Sequence, residues 1–211
     1  MTSLSLPPDS IWRRIVHSTQ RGWEVASGTL TEDGSAFLLV ELAAPGIQAP
    51  WATTLFEPPQ PTTDYYARAA RAIEASIAMF HRPAARVYVA TAVPAEDGPW
   101  WLVYIYPAPK EKGSWPRGGD MRFRVSADGR VLTESRRLHE TITEYNVRTA
   151  RPASALLDRY VTVPGNAPED TDVFHVLQRR PAIPDLMAAG KYRYRIDVDG
   201  SIRLLPAGTR D

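Results

Sequence analysis

Residues 89–109 read VATAVPAEDGPWWLVYIYPAP, and this stretch decides the fold class. Two runs rich in apolar residues, 86–93 and 100–106, flank the pair Asp97-Gly98, which is typical of a tight antiparallel hairpin. The segment 25–45, VASGTLTEDGSAFLLVELAAP, matches it without a gap at eight of 21 positions, including the Asp-Gly pair. The match indicates either a duplication or two similar hairpins.

A second internal match joins the middle of the chain to its end. The segment 121–131, MRFRVSADGRV, aligns with 192–202, YRYRIDVDGSI, and both contain an Asp-Gly turn. Three sequence segments follow from the two matches: an N-terminal half-unit at 1–62, a central helix-plus-four-strand unit at 63–150, and a C-terminal half-unit at 151–211 packed on it in one globule.

The clearest helix begins at Thr63 or Asp64 and ends before Pro83. Its apolar side chains recur at helical spacing: Tyr66, Ala70, Ile73, Ile77 and Phe80. Two shorter helices are predicted at 9–21, ended by Gly22, and at 153–160. The five prolines within 44–62 predict an extended surface connector without regular strand or helix.

Further strands are predicted from short runs bounded by turn residues. They lie at 23–28, 35–43, 121–126, 130–136, 172–178, 191–197 and 201–205. The sequence therefore predicts an α+β fold: antiparallel sheets built from Asp-Gly hairpins, each backed by a helix, in a tandem duplicated unit.

Composition excludes several function classes. The 211-residue, 23.5 kDa chain has a formal charge of +1, which provides no global field for nucleic acid or an anionic membrane. It has no cysteine, which excludes disulfides, thiolate nucleophiles and Cys-ligated zinc. No apolar run approaches the roughly 20 residues of a membrane helix. We expect a cytoplasmic protein, or a periplasmic one if a leader has been removed.

The common catalytic and metal motifs are incomplete or absent. His139-Glu140 opens a zinc-protease pattern, but position 143 is Thr rather than the second His. Asp197 to Gly200 resembles the start of a calcium loop without its later ligands. Nucleophile elbows and phosphate-binding glycine loops are also missing. We expect no metal and no cofactor.

Aromatic residues are concentrated on the predicted strand 100–106. Trp101, Val103 and Ile105 form the better core stripe, because they share one face of the strand. Trp100 and Tyr104, with Leu102 and Tyr106, then lie on the opposite face. That face must meet another part of the chain, a partner or a ligand.

Arginines alternate with rings in two other strands, so the guanidinium groups share one sheet face. Such a row pairs with carboxylates of an acidic protein surface, or forms cross-strand salt bridges within the sheet. The predicted binding residues are Trp100, Tyr104, Trp115, Arg117, Arg122, Arg124, Arg193 and Arg195.

The helix followed by GGDMRFRVSADGRVLTESRRLH, together with YRYRIDVDGSIRLLP, resembles PepSY-type or cystatin-like units of uncharacterised bacterial proteins. The resemblance covers about a third of the chain, and the Trp100-Trp101 pair and the Pro-rich segment depart from it. It implies a helix laid on an antiparallel sheet in a module that binds or inhibits something.

These observations predict a non-catalytic protein-binding module, of the type of an immunity or inhibitor protein that neutralises a toxin or enzyme. One alternative is an enzyme on a small substrate, with His139, Glu140 or Asp120 as acid–base groups. Another is a ligand-holding module in which Trp100 and Tyr104 line an enclosed apolar cavity.

Overall fold

The computed structural model describes residues 13–46, 51–146, 160–163, 165–180 and 182–206. In this part of the chain it has two helices and fourteen strands, so the fold is α+β and dominated by strands. The helices are α1 (Tyr65–Met79) and α2 (Asp170–Gln178). The strands are β1 (Arg13–Thr19), β2 (Gly22–Leu30), β3 (Phe37–Ala44), β4 (Ala52–Thr62), β5 (Tyr88–Pro94), β6 (Trp100–Pro107), β7 (Ser114–Arg117), β8 (Met121–Ser126), β9 (Leu132–Arg137), β10 (Thr143–Asn146), β11 (Tyr160–Val163), β12 (Asp185–Ala189), β13 (Tyr192–Ile196) and β14 (Ile202–Leu205).

The chain divides into two compact units. The first unit comprises Met1–Phe80, Ala90–Ile105 and Arg122–Arg136, and the second comprises His81–Val89, Tyr106–Met121 and Arg137–Asp211. The division into 1–62, 63–150 and 151–211 rests on sequence self-similarity and stays a prediction.

An antiparallel N-terminal sheet, in the order β1-β2-β3-β4, packs against α1 in the first unit. The predicted helix is confirmed, and its buried residues are mostly alanines: Ala67, Ala69, Ala70 and Ala72, with Ile73 and Ser76. These positions cover well over half of the helix circumference at 100° per residue. Because most of these buried side chains are the small ones of alanine, the backbone of neighbouring elements can approach the helix from more than one side.

The helix predicted at 9–21 is wrong over its described part, because residues 13–19 form strand β1. Ile15 and Val16 are β-branched, and Ile15 is fully buried in the sheet. Gly22, which is predicted to end this helix, instead lies at the turn into β2 with φ +117°. The Thr19 hydroxyl donates to the carbonyl of Gly22 and closes that turn.

The predicted Pro-rich connector is also wrong, because residues 52–62 form strand β4. The strand lies at the edge of its sheet, where a missing N–H on the outer side removes no ladder hydrogen bond. Pairing with β3 is interrupted between Gln60 and Leu55, the stretch that contains Pro58 and Pro59. An edge position and an irregularity together accommodate the prolines.

A central sheet has the order β5-β6-β8-β9, and most of its length lies in the first unit. The predicted core stripe is confirmed, since Trp101, Val103 and Ile105 are at most 5% exposed. Phe123 and Val125 of β8 are also fully buried. These residues mark the buried face of the central sheet.

A C-terminal sheet in the second unit has the order β11-β12-β13-β14. The strand predicted at 172–178 is wrong, because residues 170–178 form α2. This helix lies between β11 and β12, which are parallel, so the expectation of hairpins alone fails here. Strands β7 and β10 form a separate antiparallel ribbon. The helix predicted at 153–160 lies outside the described residues, apart from Tyr160, which begins β11.

The turn between β8 and β9 packs against helix α1 through Gly129. A β-carbon at this glycine would lie 2.2 Å from the carbonyl oxygen of Arg68, whereas one at Gly34 would have open space. Both glycines follow an Asp in a turn and have positive φ, +78° and +66°. Gly129→Ala is therefore expected to lower the free energy of unfolding by about 3 kcal/mol or more, against about 1–2 kcal/mol for Gly34→Ala.

Urea unfolding followed by circular dichroism measures both variants. Equal losses for the two glycines would show that backbone conformation alone sets the cost, and that the close approach to α1 contributes nothing.

Candidate functional site

Six charged residues form a buried cluster in the second unit. Each is at most 9% exposed, although charged side chains are almost never fully buried unless they are paired. Arg117 ends β7, Asp120 follows it, and His139 follows β9. Asp172 lies in the first turn of α2, Arg179 follows that helix, and Asp185 begins β12. The cluster thus joins the ribbon, α2 and the C-terminal sheet.

Asp172 lies at the centre of the cluster and is fully buried. Its Oδ2 accepts a hydrogen bond from the backbone N–H of Glu169 at 2.8 Å, which caps the start of α2. Its Oδ1 accepts from Nε and Nη2 of Arg117, at 3.1 and 2.5 Å. Burial alone would raise the pKa of this carboxyl, but His139 and Arg117 outweigh it and hold the pKa below its usual range.

His139 lies between two carboxylates. Its Nδ1 is 3.0 Å from Oδ1 of Asp120, and its Nε2 faces Oδ1 of Asp172 at 3.3 Å in an ionic contact that lacks hydrogen-bond alignment. The Thr171 hydroxyl also donates to Asp120. Burial by itself lowers the pKa of His139, but the two carboxylates outweigh it and raise the pKa to about 9. The imidazole is therefore a cation near neutral pH.

A second pair of charges extends the cluster toward β12. Nη1 of Arg117 is 3.3 Å from Oδ2 of Asp185, and Nη2 of Arg179 is 2.7 Å from Oδ1 of the same carboxylate. The Arg179 guanidinium also lies 5.2 Å from the centre of the Tyr145 ring. Three cations thus face three carboxylates, and the formal charges cancel.

His175, one turn along α2 from Asp172, is buried and takes the other protonation state. Burial, followed by the charges of Arg179 and Arg117, lowers the pKa of His175 to about 3. Its Nδ1 has no hydrogen-bond partner among the described residues. A neutral imidazole suits this position because it adds no further positive charge beside the two guanidinium groups.

The protonation state of His139 does not suit a general base at neutral pH. A general base must be unprotonated at the working pH, whereas His139 is protonated and faces a carboxylate on each side. Across the described ranges, no group of three or more His, Asp or Glu is placed to hold a metal ion. Glu140, the third predicted acid–base residue, is exposed and outside the cluster.

Four predicted binding residues lie together on the central sheet. Strands β6 and β8 are neighbours whose buried residues mark one face, so Trp100, Tyr104, Arg122 and Arg124 lie on the opposite face. All four are partly exposed. The Arg124 guanidinium is paired with the carboxylate of Asp97. We call these four residues the central-sheet face.

The other four predicted residues lie in the second unit. Arg117 is buried in the ion cluster, so its guanidinium is directed inward. Trp115 is partly exposed and packs against Tyr145 across the ribbon, with ring centres 6.2 Å apart. Tyr194 lies on the face of β13 that packs on the core with α2. Arg193 and Arg195 therefore lie on the opposite face of the strand. Arg195 pairs with Asp197.

Sequence reasoning missed Asp172, His175, Arg179 and Asp185. A local signal was available for the first of them. Glu169 and Asp172 have the i, i+3 spacing of a capping box, which marks a helix start rather than a strand.

Comparison with known proteins identifies no relative of this chain. No family model matches the chain, and neither a curated protein nor a solved structure matches it. The resemblance to PepSY-type or cystatin-like units therefore stays an expectation. Among the described residues, no helix has the length and apolar character needed to cross a membrane.

Replacing Asp172 by Asn tests the centre of the cluster. Asn keeps the shape and an oxygen for the cap, but it removes one of the two carboxylates that face each of the buried cations Arg117 and His139. We expect the free energy of unfolding to fall by about 3–5 kcal/mol, the typical cost of breaking a buried ion pair. Asp170→Asn, at an exposed position of the same helical turn, should cost about 0.5 kcal/mol. Equal effects in urea unfolding would contradict the central role of Asp172.

The raised pKa of His139 makes stability depend on pH. The unfolded imidazole has a pKa near 6.5 and the folded one about 9, so its contribution is complete below pH 6.5 and is lost as pH rises through 9. The difference corresponds to about 3 kcal/mol.

Urea unfolding at pH 6.5 and pH 10 measures this loss for the wild type and for His139→Gln. Tyrosines and lysines titrate in both proteins, so the difference between the two profiles isolates the imidazole. Wild type should lose about 3 kcal/mol more than the variant. Parallel profiles would mean that the imidazole is not held as a cation.

Proposed function

We propose that this protein is a non-catalytic protein-binding module whose contact surface includes the central-sheet face. The observation that carries the proposal is that two aromatic rings and two guanidinium groups share this partly exposed face. Trp, Tyr and Arg are the residue types that dominate the binding energy of protein interfaces. Regular strands hold these side chains, so little backbone order has to be gained on binding.

The chemistry of this face favours a partner with both apolar and acidic groups. The Arg124 side chain is 31% exposed and already oriented by Asp97, whose own side chain is 60% exposed. A partner carboxylate can approach the same guanidinium, because it presents several N–H donors. Trp100 and Tyr104 offer apolar ring area beside it. Trp115, Arg193 and Arg195 stay predicted contact residues, whereas Arg117 has a structural role in the cluster.

An immunity or inhibitor protein that neutralises a toxin or enzyme is the specific form of this proposal. The pattern that supports it is a sheet-built scaffold with aromatic and arginine side chains on a sheet face. A bacterial source, a cytoplasmic location and the absence of a nucleic-acid partner belong to the same proposal. The formal charge of +1 supports the last of these.

The alternatives have less support. Of the predicted acid–base residues, His139 and Asp120 are engaged with each other in the buried ion cluster. For the ligand-holding alternative, Trp100 and Tyr104 would line an enclosed apolar cavity. A cavity of about 630 Å³ in the first unit contains neither residue and is lined largely by polar side chains.

We also propose that the internal matches reflect duplication. The aligned segments 25–45 and 89–109 both span two neighbouring strands and their turn, β2–β3 and β5–β6. The segments 121–131 and 192–202 each contain one strand, β8 or β13, and the turn that leads to the neighbouring strand, β9 or β14. The correspondence ends further out, since His17 lies in β1 whereas His81 follows α1.

Affinity capture from an extract of the source cells tests the binding surface. Trp100→Ala combined with Arg124→Ala should reduce capture of a stoichiometric partner at least about tenfold, because such anchors contribute 2 kcal/mol or more. Trp23→Ala combined with Arg14→Ala is the matched control, since it removes one exposed ring and one exposed guanidinium from the N-terminal sheet.

Circular dichroism of both double variants checks that they fold. Undiminished capture by the Trp100/Arg124 variant, or equal loss with the control pair, would contradict binding through the central-sheet face.

A further inference from the structure

The cavity in the first unit is an open cleft between helix α1 and two Asp-Gly turns. One turn joins β2 to β3 and the other joins β8 to β9. The cleft has a volume of about 630 Å³, within the size range of sites for small metabolites. Its lining includes three arginines, Arg13, Arg71 and Arg130, and three carboxylates, Glu32, Asp33 and Glu74.

Arg71 of α1 is fixed in the cleft by main-chain oxygens. Its Nε donates to the carbonyl of Asp128 at 2.8 Å, and its Nη1 donates to the carbonyl of Gly34 at 3.0 Å. Carbonyl oxygens carry no net charge, so these bonds orient the guanidinium without neutralising it. Its Nη2 has no hydrogen-bond partner in the described part of the chain.

Arg130 supplies a second guanidinium on the wall formed by the β8–β9 turn. Its side chain is exposed and makes no hydrogen bond or salt bridge with the described residues. Burial, followed by the charge of Arg130, lowers the pKa of Arg71, which is consistent with two like charges near each other. The Asp128 carboxylate offsets part of this effect while it accepts bonds from Ser126 and from the Arg130 amide.

Two of the three carboxylates in the lining already have partners. Glu74 pairs with Arg13 at 2.6 Å. Asp33 accepts hydrogen bonds from the Thr31 hydroxyl at 2.6 Å and from Ser35. Glu32 is exposed at the opposite wall and suits a hydroxyl or amine of a bound molecule. Asp33 and Glu32 keep their negative charges, so the lining as a whole is neutral, and Arg71 and Arg130 are the two lining guanidinium groups outside an ion pair.

We propose that this cleft binds a small molecule through an oxyanion, a carboxylate or a phosphate, held between Arg71 and Arg130. Guanidinium groups present donors in a planar fork that matches both anions. Arg71 is ordered before binding, so only Arg130 loses rotamer freedom when the anion enters. The site is separate from the central-sheet face and does not depend on its function.

Titration with two simple anions tests the proposal. Sodium phosphate and sodium acetate are added in turn to the full-length, ¹⁵N-labelled protein at constant ionic strength and pH. Chemical shifts of the Gly34 and Gly129 amides and of Arg71 Nε–H report on the cleft. We expect saturable shifts with at least one anion. Saturation by phosphate alone assigns a phosphate ligand, by acetate alone a carboxylate ligand, and by both the shared oxyanion chemistry.

Arg130→Gln is the decisive variant, because the Arg130 side chain is exposed and makes no hydrogen bond or salt bridge with the described residues, although its charge interacts with that of Asp128. This substitution should weaken the binding of the anion that gives saturable shifts about tenfold, the effect of losing a charge-assisted contact. Arg14→Gln removes the same charge from an exposed position outside the cleft and should leave affinity unchanged. Absence of saturable shifts at these three groups, or equal weakening in both variants, would overturn the proposal.

Discussion

The fully buried carboxylate of Asp172 is the constraint on which the second unit depends. One oxygen caps the start of α2, and the other receives Arg117 from the ribbon and faces His139. Removing a charge from water costs several kcal/mol, so this arrangement is stable only when every neighbour is in place. The same requirement fixes where the helix starts, how the ribbon ends and which protonation state His139 takes.

The two units use a partly or fully buried arginine in different ways. Arg117 faces two carboxylates, so its charge is cancelled and its donors are occupied. Arg71 is held by two main-chain carbonyls, so it joins two turns to a helix while keeping its charge and one free nitrogen. The first arrangement favours a fixed structure, whereas the second leaves a positively charged group available at a cleft.

Sequence reasoning was reliable where the signal is local. Helix α1 and the stripe Trp101, Val103 and Ile105 follow from periodicity alone, because burial on one face imposes that periodicity. It failed where tertiary position decides, as for β4, whose prolines are tolerated at a sheet edge. The ion cluster was out of reach, because Arg117 and Asp185 are 68 positions apart and no motif links them. Alternation predicted the faces of Trp100 with Tyr104 and of Arg122 with Arg124 separately, and only the pairing of β6 with β8 brings the two sets together.

The prolines of β4 have a consequence beyond the local strand. An exposed sheet edge can pair with a strand of another chain, since its outward-facing amides and carbonyls have no partner within the sheet. Pro58, Pro59 and Pro61 leave three positions of this edge strand without an amide hydrogen, and the break in pairing beside them disrupts its regular spacing. A strand-rich protein thereby gains a built-in safeguard against edge-to-edge aggregation along that side of the N-terminal sheet.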